Sequence, residues 1–201
     1  MQKTADRLRN EAGGDTNAAP GMAAIVGLAP DAVEELIAGW KNQSAELKDL
    51  YAANINSIKQ LVVSGTAAAL TQAQPLFKEA GAKRFIRLQV AGPFHSPLMA
   101  DAADAFASAL EQIEFRNPII PIFSNVTGKQ ISSGEEAKKL ALFQITSPVR
   151  WVEVEAAVAA CAVEACFETG PGKVLQGLWK DTGSEIPVFA AGTVEDIELV
   201  R

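Results

Sequence analysis

A single histidine occurs in the 201 residues, His95, within Val90-Ala91-Gly92-Pro93-Phe94-His95-Ser96-Pro97-Leu98-Met99. Imidazole is the side chain whose ordinary titration lies closest to neutrality, so a histidine placed in a cleft can take and return a proton. The alternative is a turn residue whose ring satisfies one hydrogen bond. The two cysteines, Cys161 and Cys166, stand five residues apart without metal-ligand spacing and read as buried free thiols rather than a disulfide. Gly170-Pro171-Gly172-Lys173 lacks the G-x-x-x-x-G-K-[ST] spacing of a phosphate loop and reads as a strand-to-helix turn. Gly13-Gly14 precedes a strand rather than a helix, so it reads as linker.

The elements around His95 set its position. Phe85-Ile86-Arg87-Leu88-Gln89-Val90 alternates and predicts a strand with Ile86, Leu88 and Val90 on one face. Gly92-Pro93 breaks it. Ser96-Pro97 predicts the start of a helix over 97–114, with Ser96 as N-cap and Leu98, Met99, Ala102, Phe106, Ala109, Leu110 and Ile113 on its apolar face. His95 is thus expected in the turn between a strand end and a helix start, the edge where α/β proteins hold ligands.

Upstream, the pattern predicts a strand at 22–28, a helix from Pro30 with Val33, Leu36, Ile37 and Trp40 inward, and a strand at 50–55. A turn at Asn56-Ser57-Ile58-Lys59 follows, then a strand at 60–65 and a helix capped by Thr66 and kinked at Pro75. With the strand at 85–90, the order is β-α-β-β-α-β, the ferredoxin-like arrangement. Downstream, strands are expected at 119–123, 165–168 and 186–190. Helices are expected around Leu140 to Phe143, from Ser147-Pro148 to Ala160, and from Val174 to Trp179. Three strands are too few for an independent doubly wound sheet. Residues 1–20 read as a helix tail and linker, 21–91 as a small subdomain and 92–201 as part of a larger α/β subdomain.

Composition sets the class. A chain with 48% hydrophobic and 21% charged residues is an ordinary globular protein, and its formal net charge of −6 argues against general nucleic-acid binding. No apolar run reaches the length of a membrane span and no leader pattern is present, so a cytoplasmic location is expected.

The histidine motif Gly92-Pro93-Phe94-His95-Ser96-Pro97-Leu98-Met99 resembles that of the malonyl-CoA:acyl-carrier-protein transacylases and related acyltransferase domains. Further matches follow in the family's order: Asn54-Ile55-Asn56-Ser57 with Gln60-Leu61-Val62-Val63-Ser64-Gly65, Ala80-Gly81-Ala82-Lys83-Arg84, and Pro121 to Gly128. Gln144 with Pro148-Val149-Arg150-Trp151, and Glu168-Thr169-Gly170-Pro171-Gly172-Lys173-Val174-Leu175, complete the series. The family's G-Q-G-S loop, its G-H-S-x-G nucleophile elbow and the arginine of R-G-x-x-M-Q have no counterpart here. Met1-Gln2 resembles the end of that last motif, so the expectation is a chain covering the C-terminal two-thirds of the family fold.

The resemblance implies an α/β protein: a ferredoxin-like α+β small subdomain plus part of an α/β-hydrolase-like acyltransferase core. It implies transfer of a malonyl group from malonyl-CoA to the phosphopantetheine thiol of acyl carrier protein in fatty-acid synthesis, through a serine acyl-enzyme whose nucleophile lies outside this chain. No cofactor is implied, malonyl-CoA being substrate and phosphopantetheine belonging to the partner. The other reading is a non-catalytic or truncated remnant that binds acyl carrier protein or a partner segment. By resemblance His95 is the general base, its ring held by the main-chain carbonyl of Gln144 with Asn125 nearby. Asn125 reads equally as a turn residue after a strand. Phe94 would favour malonyl over branched acyl groups, or serve as a core aromatic. Asn56 and Ser57 would line the acyl cleft, or simply make a hairpin turn. Lys83, Arg84, Arg87, Lys129, Lys138 and Lys139 would face the acidic carrier protein, or form ordinary solvated surface.

Overall fold

In the computed structural model residues 19–199 are described, and the expected helix tail and linker at 1–20 lie outside them except for residues 19 and 20. β1 (Gly21–Val26), β2 (Leu50–Ser57), β3 (Gln60–Gly65) and β4 (Arg84–Arg87) form one sheet with β5 (Val149–Arg150), in the order β4-β1-β3-β2-β5. β1 runs antiparallel to β3 and β4, β3 antiparallel to β2, and β5 parallel to β2. The first four strands have the ferredoxin-like order, and the fifth comes from the C-terminal half. β1 is an interior strand covered on both faces, which is why Met22-Ala23-Ala24-Ile25 is uniformly apolar and not alternating.

α1 (Pro30–Lys41) and α2 (Ala67–Glu79) cover one face of the sheet. Pro30 opens α1, where its missing N–H would have had no helical partner, and Val33 and Ile37 are its buried positions. Thr66 caps α2 by accepting from the Ala69 N–H at 3.2 Å. Ala69, Leu70, Ala73 and Phe77 then follow at helical spacing and are fully buried. Pro75 lies inside α2 without ending it. Phe77 meets the Trp40 ring edge-on, at 4.8 Å between centroids.

The C-terminal half departs from the expectation in three places. The helix after His95 is shorter: a 3-10 turn at Pro97–Met99 leads into α3 (Ala100–Glu111), and Ile113 is exposed. No strand forms over 119–123. There the backbone folds back around Gly128, with Ser124 N–H bonded to Lys129 O and Ile131 N–H to Ile122 O, leaving Ile119 100% exposed. A strand needs a neighbouring ladder; Phe123 makes a single antiparallel bridge to Gln130, and no strand among the described residues pairs with 119–121. The segment after Ser147-Pro148 begins as β5, and the helix α5 (Trp151–Ala159) starts only at Trp151. Pairing Val149 and Arg150 with Asn54 and Ile55 holds those residues extended.

α4 (Gly134–Phe143) packs beside α3, and Lys138 Nζ donates to the terminal carbonyls Glu111 O and Ile113 O. β6 (Cys166–Glu168) and β7 (Val188–Ala190) form a two-stranded parallel sheet flanked by α6 (Val174–Trp179) and α7 (Val194–Glu198). Glu168 accepts from the Leu175 and Gln176 N–H groups, at 3.0 and 2.8 Å. These bonds hold its carboxyl below the usual carboxylate range. The start of α6 is therefore already occupied by a carboxylate, which agrees with reading the Gly-Pro-Gly-Lys stretch as a turn. Cys161 and Cys166 are free and half-buried. Among the described residues, no helix is long and apolar enough to cross a membrane.

Two outcomes follow from this packing. Phe77→Ala empties the centre of the α1–α2 layer and is expected to cost about 3–5 kcal/mol, read as a lower urea midpoint. Glu155 on α5 is only 2% exposed; burial pushes its carboxyl up to about 7, opposed by the Trp151 N–H and reinforced by Asp181. A carboxyl raised in the folded state stabilises the fold below the unfolded value, near 4.5, and that stability is lost as pH rises through about 7. Unfolding at pH 5 and pH 8 should differ by on the order of 3 kcal/mol, a slope that Glu155→Gln removes.

Candidate active site

After β4 the chain crosses the face of the sheet opposite the two helices. Leu88, Val90 and Phe94 lie against Met22, Ala24, Ala53 and Val62, and Leu88 N–H bonds to Met22 O at 2.9 Å. The crossing is pinned near its end: the buried Ser64 hydroxyl of β3 donates to Phe94 O at 2.5 Å. The Ser96 hydroxyl, expected to cap the next helix, instead donates backwards to Pro93 O at 2.6 Å. A tight reversal between these two anchors puts His95 at φ +56°, the only non-glycine residue with positive φ among the described residues. Left-handed backbone of this kind costs an ordinary residue about 1–2 kcal/mol and collects at functional positions.

Gln144 meets the ring from farther along the same C-terminal half. It terminates α4, and its carbonyl lies 3.0 Å from His95 Nδ1. A carbonyl can only accept, so Nδ1 carries the proton and Nε2 keeps its lone pair. That is the tautomer a general base requires. The Gln144 side-chain amide stands 3.4 Å from the same Nδ1, but two donors cannot bond each other. The amide's working bond is to Ser147 O at 3.1 Å, which closes the 144–147 turn. The family resemblance implies a main-chain role for Gln144 alone; the turn-closing role of its side chain is additional.

Beside His95 opens a cavity of about 350 Å³ lined also by Glu34, Lys41, Tyr51, Thr146 and Pro148. Lys41 Nζ sits 3.8 Å from the Tyr51 ring centroid, and the Tyr51 hydroxyl bonds to Asp49 at 3.2 Å. Burial pushes the Lys41 ammonium down, against the Asp49 charge, while burial and then Asp49 push the Tyr51 phenol up. No motif marks Lys41 or Tyr51, and only their shared cavity associates them with His95.

The other expected site residues are placed as follows. Phe94 is half-buried, packed on the second face of the sheet immediately before His95. The Asn125 carbonyl accepts from Arg150 N–H at 2.7 Å, tying the 124–128 turn to β5; the His95 ring's hydrogen-bond partner is Gln144. Asn56 falls at a register shift of β2, and Ser57 is buried with its hydroxyl accepting from Lys59 N–H at 3.3 Å. Ser57 pairs with Gln60 at the hairpin end of β2, whereas Tyr51, which faces the His95 cavity, pairs with Ser64. Six residues of strand, roughly 20 Å, separate those two levels.

Comparison with known proteins gives consistent matches. Residues 15–200 match the acyl transferase domain family. The chain is 37% identical over 178 residues to the malonyl CoA-acyl carrier protein transacylase of Bacillus subtilis, covering 89% of this chain and 55% of that protein. It is 37% identical over 180 residues to the Haemophilus influenzae protein of the same name, covering 90% and 56%. The chain thus spans just over half the length of these curated relatives. Among solved structures, an acyl carrier protein S-malonyltransferase from Vibrio cholerae superposes with a TM-score of 0.83 at 34% identity, covering 98% of this chain and 64% of that one. A malonyl-transacylase in complex with its type II polyketide acyl-carrier protein superposes equally, at 0.83 and 31% identity, covering 96% and 61%.

The left-handed backbone at His95 makes a separable prediction. His95→Gly and His95→Ala both delete the imidazole, but only glycine relieves the backbone. His95→Gly should be the more stable of the two by about 1 kcal/mol, measured by urea unfolding.

Proposed function

The chain belongs to the acyl transferase domain family, and from that premise we propose that it supplies the general base for moving a malonyl group from malonyl-CoA to the phosphopantetheine thiol of acyl carrier protein in fatty-acid synthesis. The observation that carries the proposal is the 3.0 Å contact between His95 Nδ1 and the Gln144 carbonyl, which leaves Nε2 as acceptor. The nucleophile is a serine outside this chain, since no G-x-S-x-G turn occurs in the sequence. Nε2 takes the serine hydroxyl proton as Oγ attacks the thioester carbonyl; the tetrahedral intermediate expels the CoA thiolate, which receives that proton. The phosphopantetheine thiol then gives its proton to Nε2 and attacks the malonyl-serine ester, and the serine leaves with the proton. Every step is an acyl substitution coupled to a proton transfer, so the reaction as written uses no cofactor.

In this reading residues 21–91 are the small subdomain and 92–201 are part of the larger one, with the His95–Gln144 bond within the latter. Asn125 acts as a positioning residue through its carbonyl on Arg150, and Phe94 limits branching at the acyl α-carbon, a discrimination worth about 1–3 kcal/mol. We assign Asn56 and Ser57 to the hairpin. The similar malonyl-transacylase solved with its acyl-carrier protein supports that class of partner.

The test is reconstitution. The chain is mixed with a separately produced segment carrying the G-H-S-x-G elbow of a relative, then given malonyl-CoA and holo acyl carrier protein, and products are read by intact mass. Malonyl-carrier should form only with both components, and His95→Ala should slow it by about 10²–10⁴-fold. A malonyl adduct on this chain alone would place the nucleophile inside it and overturn the assignment. Carrier binding without transfer in the reconstituted mixture would favour the non-catalytic reading.

A further inference from the structure

Ser64 breaks the pattern of its own surface. The buried side chains on the face of the sheet that the 88–94 crossing covers are Met22, Ala24, Ala53 and Val62, all apolar. Ser64 stands two residues beyond Val62 on β3, on that same face, and is 0% exposed. A buried hydroxyl is costly unless it is bonded, and serine usually spends its hydroxyl on backbone close to it in sequence. Here the bond reaches thirty residues along the chain, to the Phe94 carbonyl at 2.5 Å, the short end of the O–H···O range.

The accepting carbonyl belongs to the peptide that joins Phe94 to His95. A peptide is planar, so a bond to its oxygen fixes the whole unit, and the direction of the His95 N–Cα bond with it. The φ of His95 is the rotation about that bond, and it stands at +56°. Turning the peptide over would take the carbonyl from Ser64 and let φ return to the negative region that residues with side chains ordinarily occupy. It would also swing the ring away from the Gln144 carbonyl, now 3.0 Å from Nδ1. The donor itself cannot follow such a movement. Ser64 is paired with Met22 of β1 on one side and Tyr51 of β2 on the other, so both edges of its strand are taken up at this level.

We propose that Ser64 is a positioning residue for His95: its hydroxyl, held in the interior of the sheet, keeps the Phe94–His95 peptide in the orientation that delivers the imidazole to Gln144. The proposal rests on His95 acting as the base. The ring is then oriented from two sides, by β3 through the main chain before it and by the end of α4 through Nδ1. Ser96, bonded to the Pro93 carbonyl at 2.6 Å, holds the preceding peptide and leaves the one between Phe94 and His95 to Ser64.

The test reads the ring directly. His95 is the only histidine in the sequence, so a long-range proton–nitrogen correlation spectrum of the untagged, nitrogen-labelled chain shows one imidazole and reports which nitrogen carries the proton. With the ring neutral, the unaltered chain should show the Nδ1–H form, and Ser64→Ala should show exchange between both tautomers. In the mixture reconstituted with the serine segment, Ser64→Ala should slow malonyl transfer about tenfold, the factor one net hydrogen bond supplies, with the half-saturating malonyl-CoA concentration unchanged. Ser64→Thr keeps the hydroxyl and should restore tautomer and rate. Val62→Ala, which thins the same face without touching the bond, should leave both as they are. A Ser64→Ala chain that keeps the Nδ1–H form or the full rate, a folded Ser64→Thr chain that stays impaired, or a Val62→Ala chain that loses the Nδ1–H form would overturn the proposal. If Ser64→Ala does not fold, Ser64→Cys, close in volume and a weak donor, replaces it. Failure of the unaltered mixture to transfer would count against His95 as the base and not against the tether, which the spectrum of the chain alone decides.

Discussion

The two residues of β5 carry a constraint out of proportion to their number. Val149 and Arg150 add a parallel edge to β2, and Asn125 O receives the Arg150 N–H from the far side. With the strand fixed, the turn before it has one place to go, and that place brings the Gln144 carbonyl to His95. Parallel neighbours cannot be joined by a hairpin and need a long crossover. Nearly a hundred residues intervene here between β2 and β5, including both the histidine and the helix that ends at Gln144. The base and its holder are far apart in sequence because the connection that joins the two strands contains them both.

The small sheet unit is legible in the chain because its signals are local and agree with one another. Thr66 as a cap, Pro30 at a helix start and Ala69-Leu70-Ala73-Phe77 at helical spacing each predict what forms. The motif containing His95 is legible in the same way, as is the Gln144 carbonyl once the family resemblance is drawn. The misreadings fall where local pattern meets a non-local partner. Ile119 to Phe123 has strand composition, but beyond the single Phe123–Gln130 bridge no strand among the described residues lies beside it. Val149-Arg150 reads as the beginning of a helix until the edge of β2 claims it. Ser96 has the residue type of a helix cap, yet the carbonyl of Pro93 is nearer to its hydroxyl.

What could not be read from the chain is mostly a matter of which polar groups share a cavity. Lys41 and Tyr51 join His95 only because α1 ends beside β2. Glu155 lies three or four residues from Trp151, Val152 and Val158, on one face of α5, but a carboxylate at such a position reads as solvated surface. Burial of a carboxyl against an indole runs against the usual sorting of residues, so composition offers no hint of it.

The left-handed backbone at His95 also acts as a filter on the genetic alphabet. Among side chains other than glycine, asparagine, aspartate and histidine enter that region most readily, while β-branched and bulky ones are rejected. Asparagine has no proton to exchange near neutrality, and an aspartate ordinarily gives its proton up several pH units too early. Selection for a base at this turn therefore meets, in the main chain, a conformation that has already reduced the candidates to one. Drift through intermediate side chains is closed on both sides, by backbone geometry and by proton affinity, so a lineage that loses this histidine can regain the function most directly by restoring the same residue.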